Sequence, residues 1–449
     1  MTDEGTIVEK QLGLFHRVFS AVKSDELARQ FSLMFVATMV ANFLNYVYNL
    51  IMGRMLGPAD FSAFTALLSV LLIASAIGGT IQTVVTRHVS ILKSERKFNS
   101  IYHLLVKSAR PSLLASLFLL LVFVLLSPPA QTFLRLSSVT PMLVLGTVVA
   151  VSLIAPIPWG ILLGLQDYRN LAANMILNAT LRLASGVFLV FLGFAVSGAL
   201  GASALAALVA IFFAILPIRL LKGSSPDCEP VPFLSMFKYS MPVMISIVCF
   251  LGLITMDMVL VRHFFDAEVA GHYAAAATLG KIVLFLPGAI SLVMFPKTSE
   301  LRVVTQKSLK ILYKSLLAVF GLSGAVTLGY FLFPTFIVSI MFGQKYLFSV
   351  PYIGFFGIAM TLFALVNVFI SYLLSVKKQS LIYFLLVAVF LEVGLIWLFH
   401  DTFYQVLSIL IGVSTALFIS LSIYLCLSSK KGISVGQVQE EVFDTYPRL

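Results

Sequence analysis

Four ionisable side chains lie deep inside long apolar stretches of this sequence: Arg182, Asp257, Lys281 and Glu392. A charge facing lipid at that depth costs about 2.5–3.5 kcal/mol on an insertion scale, so each must face protein or water. Two roles fit. They pair structurally, for instance Lys281 with Glu392 or Asp257, or they line a path for a polar substrate or an ion. Asparagines accompany them. Asn174, Asn178 and Arg182 follow at successive four-residue steps with Ser185 nearby, and Thr38, Asn42, Asn45 and Asn49 form a second series. Such spacing stacks side chains on one helix face. Hydrogen bonds that glue membrane helices together contribute only about 0.6 kcal/mol each on average. Three asparagines in one apolar stretch exceed what gluing needs, so the series reads as the wall of a hydrated cavity.

Bond-making chemistry finds no support. The sequence has no His/Glu zinc motif, no phosphate-cradling glycine loop before Lys-Ser/Thr and no Gly-x-Ser-x-Gly elbow. The six histidines, His16, His88, His103, His263, His272 and His400, are scattered. The three cysteines, Cys228, Cys249 and Cys426, suggest neither a disulfide framework nor a metal site. No segment between apolar stretches is long enough to fold as a separate catalytic domain.

The elements that must position these residues are membrane helices. The 449 residues are 60% hydrophobic and 11% charged, with a mean hydropathy of +1.03. A soluble chain of this size needs far more charge on its surface. Twelve apolar segments can be read: Phe31–Met52, Phe61–Ile91, Leu104–Leu126, Pro141–Leu165, Leu171–Phe194, Val196–Leu221, Phe237–Val261, Val269–Met294, Leu309–Phe333, Pro351–Val376, Ser380–Phe399 and Tyr404–Leu427. Each approaches or exceeds the roughly 20 residues that carry a helix across the hydrocarbon core. Their uniform apolarity excludes the alternating short strands of a barrel.

Of the 30 lysines and arginines, 24 fall in the N-terminal segment, in every second gap or the segment ends that border it, or in the C-terminal tail. The opposite gaps hold only Arg54, Arg135, Arg262 and Lys345. This asymmetry predicts that both termini are cytoplasmic and that the protein sits in the cytoplasmic membrane. The net charge of +11 then reflects basic inner loops and their attraction to anionic headgroups, with no need for nucleic acid. The first 30 residues lack the apolar run of a cleavable signal. Ile7, Leu12, Phe15, Val18, Phe19 and Val22 instead suggest an amphipathic helix at the inner surface.

The expected organisation is an N-terminal segment (1–30), a six-helix bundle (31–221), a linker (222–236) rich in Pro, Gly and Ser, a second six-helix bundle (237–427) and a tail (428–449). The halves resemble each other. Shifted by 208 residues, Arg54 meets Arg262, Ala59 meets Ala267, Asp60 meets Glu268 and Asn49 meets Asp257. Both halves begin on the same side, so the repeats are parallel, and two facing bundles enclose a central cavity. Prolines at 156, 158, 242 and 287 predict kinks, and Phe333–Gly343 reads as an interfacial continuation on the outer face.

The run GRMLGPADFSAF (Gly53–Phe64) resembles the first-loop signature of polysaccharide flippases of the multidrug/oligosaccharidyl-lipid/polysaccharide exporter superfamily. Asp257 followed by VAGHYAAA (Val269–Ala276), LPGAISLVMFP (Leu286–Pro296) and SIMFGQKY (Ser339–Tyr346) extends the resemblance over nearly the whole chain.

The resemblance implies an all-α transporter that moves a polyprenyl-diphosphate-linked oligosaccharide from the inner to the outer leaflet by alternating access. Asn42, Asn45, Asn49, Asn174 and Asn178 would serve the sugar. Lys281 and Arg182 would attract the diphosphate, and Arg87 sits where relatives often carry a basic residue. Asp257 and Glu392 would bind the coupling H⁺ or Na⁺, and no other cofactor is implied. Expected partners are the lipid-linked substrate, membrane lipids and polymerase or export machinery, with a monomer as the default. A cation-coupled drug or metabolite exporter, an integral membrane glycosyltransferase or polymerase, and a structural scaffold of a polysaccharide machine stay open as alternatives. The usual acidic pattern of the drug-exporting branch is not evident in the first span, and the expected large outer loop of the enzymes is missing.

Overall fold

The computed structural model describes residues 26–221, 233–288, 305–376 and 380–445, together with the isolated positions 290, 294 and 298. The proposed N-terminal amphipathic helix, most of the linker, Cys228 and most of the LPGAISLVMFP run lie outside the described residues. All regular structure among the described residues is helical.

Helix α1 (Glu26–Ser94) holds 69 residues. A straight helix of that length would measure about 100 Å, against roughly 30 Å of hydrocarbon. It breaks at Gly57, whose φ of 75° suits a residue without Cβ, and Pro58 cannot supply a donor to the turn before it. The two arms fold back on each other. Tyr48 and Phe64 have ring centroids 6.0 Å apart, where a straight helix would separate the residues by about 24 Å.

Helix α2 (Phe98–Phe133) follows, then α3 (Thr140–Ile154) and α4 (Pro156–Gly164), which part at Ala155 in front of the expected proline kink. Helix α5 (Tyr168–Leu189) passes through a π-helical turn at Val190–Phe194 into α6 (Ala195–Arg219). After residue 233 come α7 (Phe233–Leu253), α8 (Met256–Phe264), α9 (Ala267–Phe285), α10 (Gln306–Leu332), the short α11 (Pro334–Met341) and a 3₁₀ segment (Gln344–Tyr352). Helices α12 (Ile353–Ser375), α13 (Leu381–Leu398) and α14 (Phe403–Thr445) complete the chain.

Among the described residues, eight stretches are long and apolar enough to cross a membrane, or nine with α7 and α8 taken as one bent span. The protein is therefore a multi-pass membrane protein. Two of the eight, of 63 and 52 residues, are each about twice the length that one crossing needs. They contain the breaks at Gly57 and Gly193.

One kink differs from expectation. Helix α7 continues unbroken through Pro242, and a 40° bend comes at Ile254–Thr255. There the Thr255 hydroxyl turns back to the Leu251 carbonyl at 2.6 Å and the backbone leaves helical geometry. Pro287 behaves as expected, because α9 ends at Phe285 just before it.

Helices α1–α6 pack among themselves, as do α7–α14, and the two sets meet where α1 touches α7, α8 and α9. Packing within the first set relies on close approach and small polar residues. Gly160 and Gly164 of α4 sit against Val85 and Val89 of α1, and Thr86 Oγ1 donates to the Gly160 carbonyl at 3.1 Å. A core of Val85, Val89, Ile101, Leu104, Ile161 and Leu171 closes this end of the first set alone. The large core that contains Tyr48, Phe61, Met258 and Tyr273 joins both sets at the opposite end.

Candidate functional site

Helix α5 presents Arg182 to the first arm of α1. Its Nη1 donates to Asn45 Oδ1 at 3.2 Å, and its guanidinium carbon lies 4.5 Å from the centroid of the Tyr48 ring. Nε is buried with no hydrogen-bond partner among the described residues. Tyr48 is held from the other side: its hydroxyl donates to the Ala199 carbonyl of α6, and Gly186 of α5 leaves room for its ring. Asn49 donates its amide to the Asn45 carbonyl at 2.8 Å. The result is a half-buried cation held against an aromatic face, a group able to attract an anionic or hydroxyl-rich ligand.

The asparagine series is not uniform. Asn174, expected on the cavity wall, is 3% exposed. Trp159 Nε1 donates to its Oδ1 and its Nδ2 donates to the Ala210 carbonyl, both at 2.7 Å. It ties α4, α5 and α6 together and is too buried to meet a ligand in this conformation. Asn178 is half-buried one turn further along, and Asn42 is exposed on α1. Arg87 is exposed on the second arm of α1.

A second cluster lies on α8, α9 and α13. The bend before α8 places Asp257 in the first turn of that helix, where unpaired backbone N–H groups favour an acidic side chain. Asp257 is buried and accepts a 2.8 Å hydrogen bond from the hydroxyl of Tyr273, itself buried. Lys281, two turns along α9 from Tyr273, is half-buried and close enough to Asp257 to interact electrostatically without a contact ion pair. Glu392 is 1% exposed, and neither carboxyl oxygen has a hydrogen-bond partner among the described residues. It too lies within electrostatic range of Asp257. Arg182 and Lys281 belong to different helix sets and have separate partners. No group of three or more potential metal-ligating side chains occurs among the described residues.

A third feature was legible only as an exception to the charge rule. Arg54, Arg135, Arg262 and Lys345 all lie at the end where the two sets meet. Arg54 donates to carbonyls of α11, and Arg262 donates to carbonyls after α2 and to Ser62. Tyr346 donates to the Gly53 carbonyl at 2.6 Å. These contacts cross between the sets. At the opposite end, Lys93 to Leu165, Thr298 to Ser375, Ser308 to Tyr372 and Tyr424 to Ser380 each stay within one set.

The sequence profile of the family described as polysaccharide biosynthesis protein matches residues 27–302. The chain belongs to this family. The fold is shared with known transporters. A multidrug resistance transporter of the MATE family, in an inward-facing conformation, superposes with a TM-score of 0.69 at 15% identity, covering 90% of this chain and 99% of that one. The lipid II flippase MurJ, in an inward closed conformation, gives 0.66 at 14% identity over 89% of this chain and 87% of its own. A transporter of the same superfamily from Pyrococcus furiosus gives 0.54 at 14% identity over 88% and 95%. At these identities the likeness establishes the fold. No curated individual protein matches the sequence. The resemblance read from Gly53–Phe64 and the later motifs thus agrees with both the family and the fold.

Proposed function

We propose that this member of the polysaccharide biosynthesis family is a flippase for a polyprenyl-diphosphate-linked oligosaccharide. The observation that carries the reading is Arg182, a cation in a membrane-spanning helix, braced by Asn45 and Tyr48 with a buried donor unused. A purely structural arginine at bilayer depth is expected to fill its donors with protein acceptors.

In this reading the chain crosses the cytoplasmic membrane twelve times. The double-length stretches each count as two spans, the α7–α8 pair as one and α9 as one. Positive charge at the Arg87 end supports placing that end, and both termini, in the cytoplasm. The seam at the Arg54 end then closes the outer side, and the reading requires a chamber between the two helix sets that opens inward. The diphosphate meets Arg182 and Lys281, with Arg87 at the entrance. The sugar meets Asn42, Asn45, Asn49 and Asn178, and the lipid chain stays in the bilayer. Asp257 and Glu392 take up the H⁺ or Na⁺ that resets the cycle, Glu392 through its two unpartnered oxygens.

The chemistry needed is binding and rocking, with no bond broken. The protein acts as a monomer, because the two sets supply each other's partner surfaces. It delivers its cargo to polymerising or exporting machinery. A cation-coupled exporter is the second reading, favoured by the fold shared with the MATE transporter.

Reconstituted protein in vesicles carrying a fluorescent polyprenyl-diphosphate oligosaccharide tests the reading. Protein-dependent loss of the probe from one leaflet, abolished by Arg182→Ala, is expected. Transfer by neither protein, with efflux of organic cations instead, would favour the exporter.

A further inference from the structure

We propose that Arg54 and Arg262 form a paired latch that holds the outer end shut, and that both must release before that end opens. Each arginine reaches across the seam to carbonyl groups where a helix of the other set ends. Arg54 Nε donates to the Met341 carbonyl at 3.0 Å, and its Nη2 donates to the Ile340 carbonyl, in the last turn of α11. Arg262 Nε donates to the Leu134 carbonyl at 3.0 Å and its Nη2 to the Arg135 carbonyl at 2.8 Å, just beyond α2. Helix C-termini leave carbonyls unpaired and carry the negative end of the dipole, and the planar guanidinium fork matches two adjacent carbonyls.

The two arginines occupy matching positions of the halves, and their acceptors lie in corresponding turns, offset by two residues. The 208-residue shift that superposes Arg54 on Arg262 also superposes Phe133 on Met341 and Arg135 on Gly343. Arg135 and Gly343 both adopt positive φ, 48° and 90°, so each receiving turn contains a residue in the less common half of φ space. Each half therefore grips the same turn of the other. Further contacts lie between the two grips. Ser62 Oγ accepts from Arg262 Nη1 and donates to the Ala267 carbonyl, both at 2.9 Å. A Cβ at Gly271 would collide with the Pro58 carbonyl, so the two turns touch backbone to backbone.

The grips differ in strength. Arg262 is 4% exposed and Arg54 is exposed. Opening must hydrate a buried guanidinium and its carbonyls on one side and a group already in water on the other.

The latch deepens the transport reading, because it presupposes a protein that alternates between open ends. Its test reads conformation and is independent of cargo. In a background with Cys228, Cys249 and Cys426 replaced by Ala, Thr65→Cys places a single thiol on α1 one turn beyond Ser62. Intact cells are labelled from outside with a membrane-impermeant maleimide. Losing charge-assisted hydrogen bonds should raise the labelling rate about tenfold in Arg262→Ala and about threefold in Arg54→Ala. The double variant should exceed either, and Arg262→Lys should fall between parent and alanine. If the alanine variants lose abundance, the Arg54→Lys/Arg262→Lys pair is scored in the same way. An unchanged rate in double variants that match the parent in abundance and gel filtration overturns the latch. Faster labelling without any transfer of lipid-linked sugar would leave the latch standing and remove the flippase reading.

Discussion

The Tyr273 hydroxyl donates a 2.8 Å hydrogen bond to Asp257 and so fastens α9 to the first turn of α8, just past the bend in the seventh apolar segment. Both groups are buried, and Lys281 and Glu392 lie within electrostatic range of the carboxyl group. The bend, the tyrosine and the second carboxyl group together make Asp257 the centre of the second cluster. Tyr273→Phe removes one donor and preserves the ring. Transport should fall about tenfold, the scale of a hydrogen bond to a charged group, and its dependence on external pH or Na⁺ should change. Initial rates across a pH series check this, and an unchanged profile would reduce Tyr273 to packing.

Arg182 separates charge from geometry. Arg182→Lys keeps a cation but loses the fork to Asn45 and much of the stacking on Tyr48. Arg182→Ala should abolish polymer output and the lysine variant should retain a fraction, with both at parental abundance. Polymer yield against membrane-protein level measures this, and full output from the alanine variant would contradict the role.

Asn174 and Asn178 stand one helical turn apart and should fail in different ways. Asn174→Ala leaves the Trp159 indole N–H without its acceptor and the Ala210 carbonyl without its donor. A cost of about 1–3 kcal/mol is expected, visible as a lower Tm in detergent. Asn178→Ala should leave Tm within error and weaken transport. Reversed effects would place Asn174 in the binding wall after all.

Glu392→Gln keeps the shape of the side chain and removes its titration. Since neither carboxyl oxygen has a partner, the amide should be tolerated, with Tm equal to or above the parent. Transport should stop responding to an imposed proton or sodium gradient. A response as large as the parent's would assign coupling elsewhere.

The multi-pass helical architecture was legible because composition acts residue by residue. Long apolar runs need no knowledge of neighbours. What periodicity does not carry is the identity of the facing helix. It placed Asn174 and Arg182 on one stripe, yet Trp159 claims the first while the second keeps a spare donor. Likewise Pro242 looked like the kink in the seventh segment. The break fell at Ile254–Thr255, where the Thr255 side chain competes for a helix carbonyl that sequence alone does not single out. Arg54 and Arg262 read as stray outer charges because their acceptors are backbone carbonyls, which leave no mark in a sequence.

The most direct test is leaflet-resolved measurement of lipid-linked oligosaccharide in cells that lack this protein, complemented with the parent or with Arg182→Ala. The account predicts accumulation on the cytoplasmic leaflet in the deletion strain, relieved by the parent and not by the variant. An unchanged distribution between leaflets in the deletion strain, with polysaccharide synthesis intact, would contradict it.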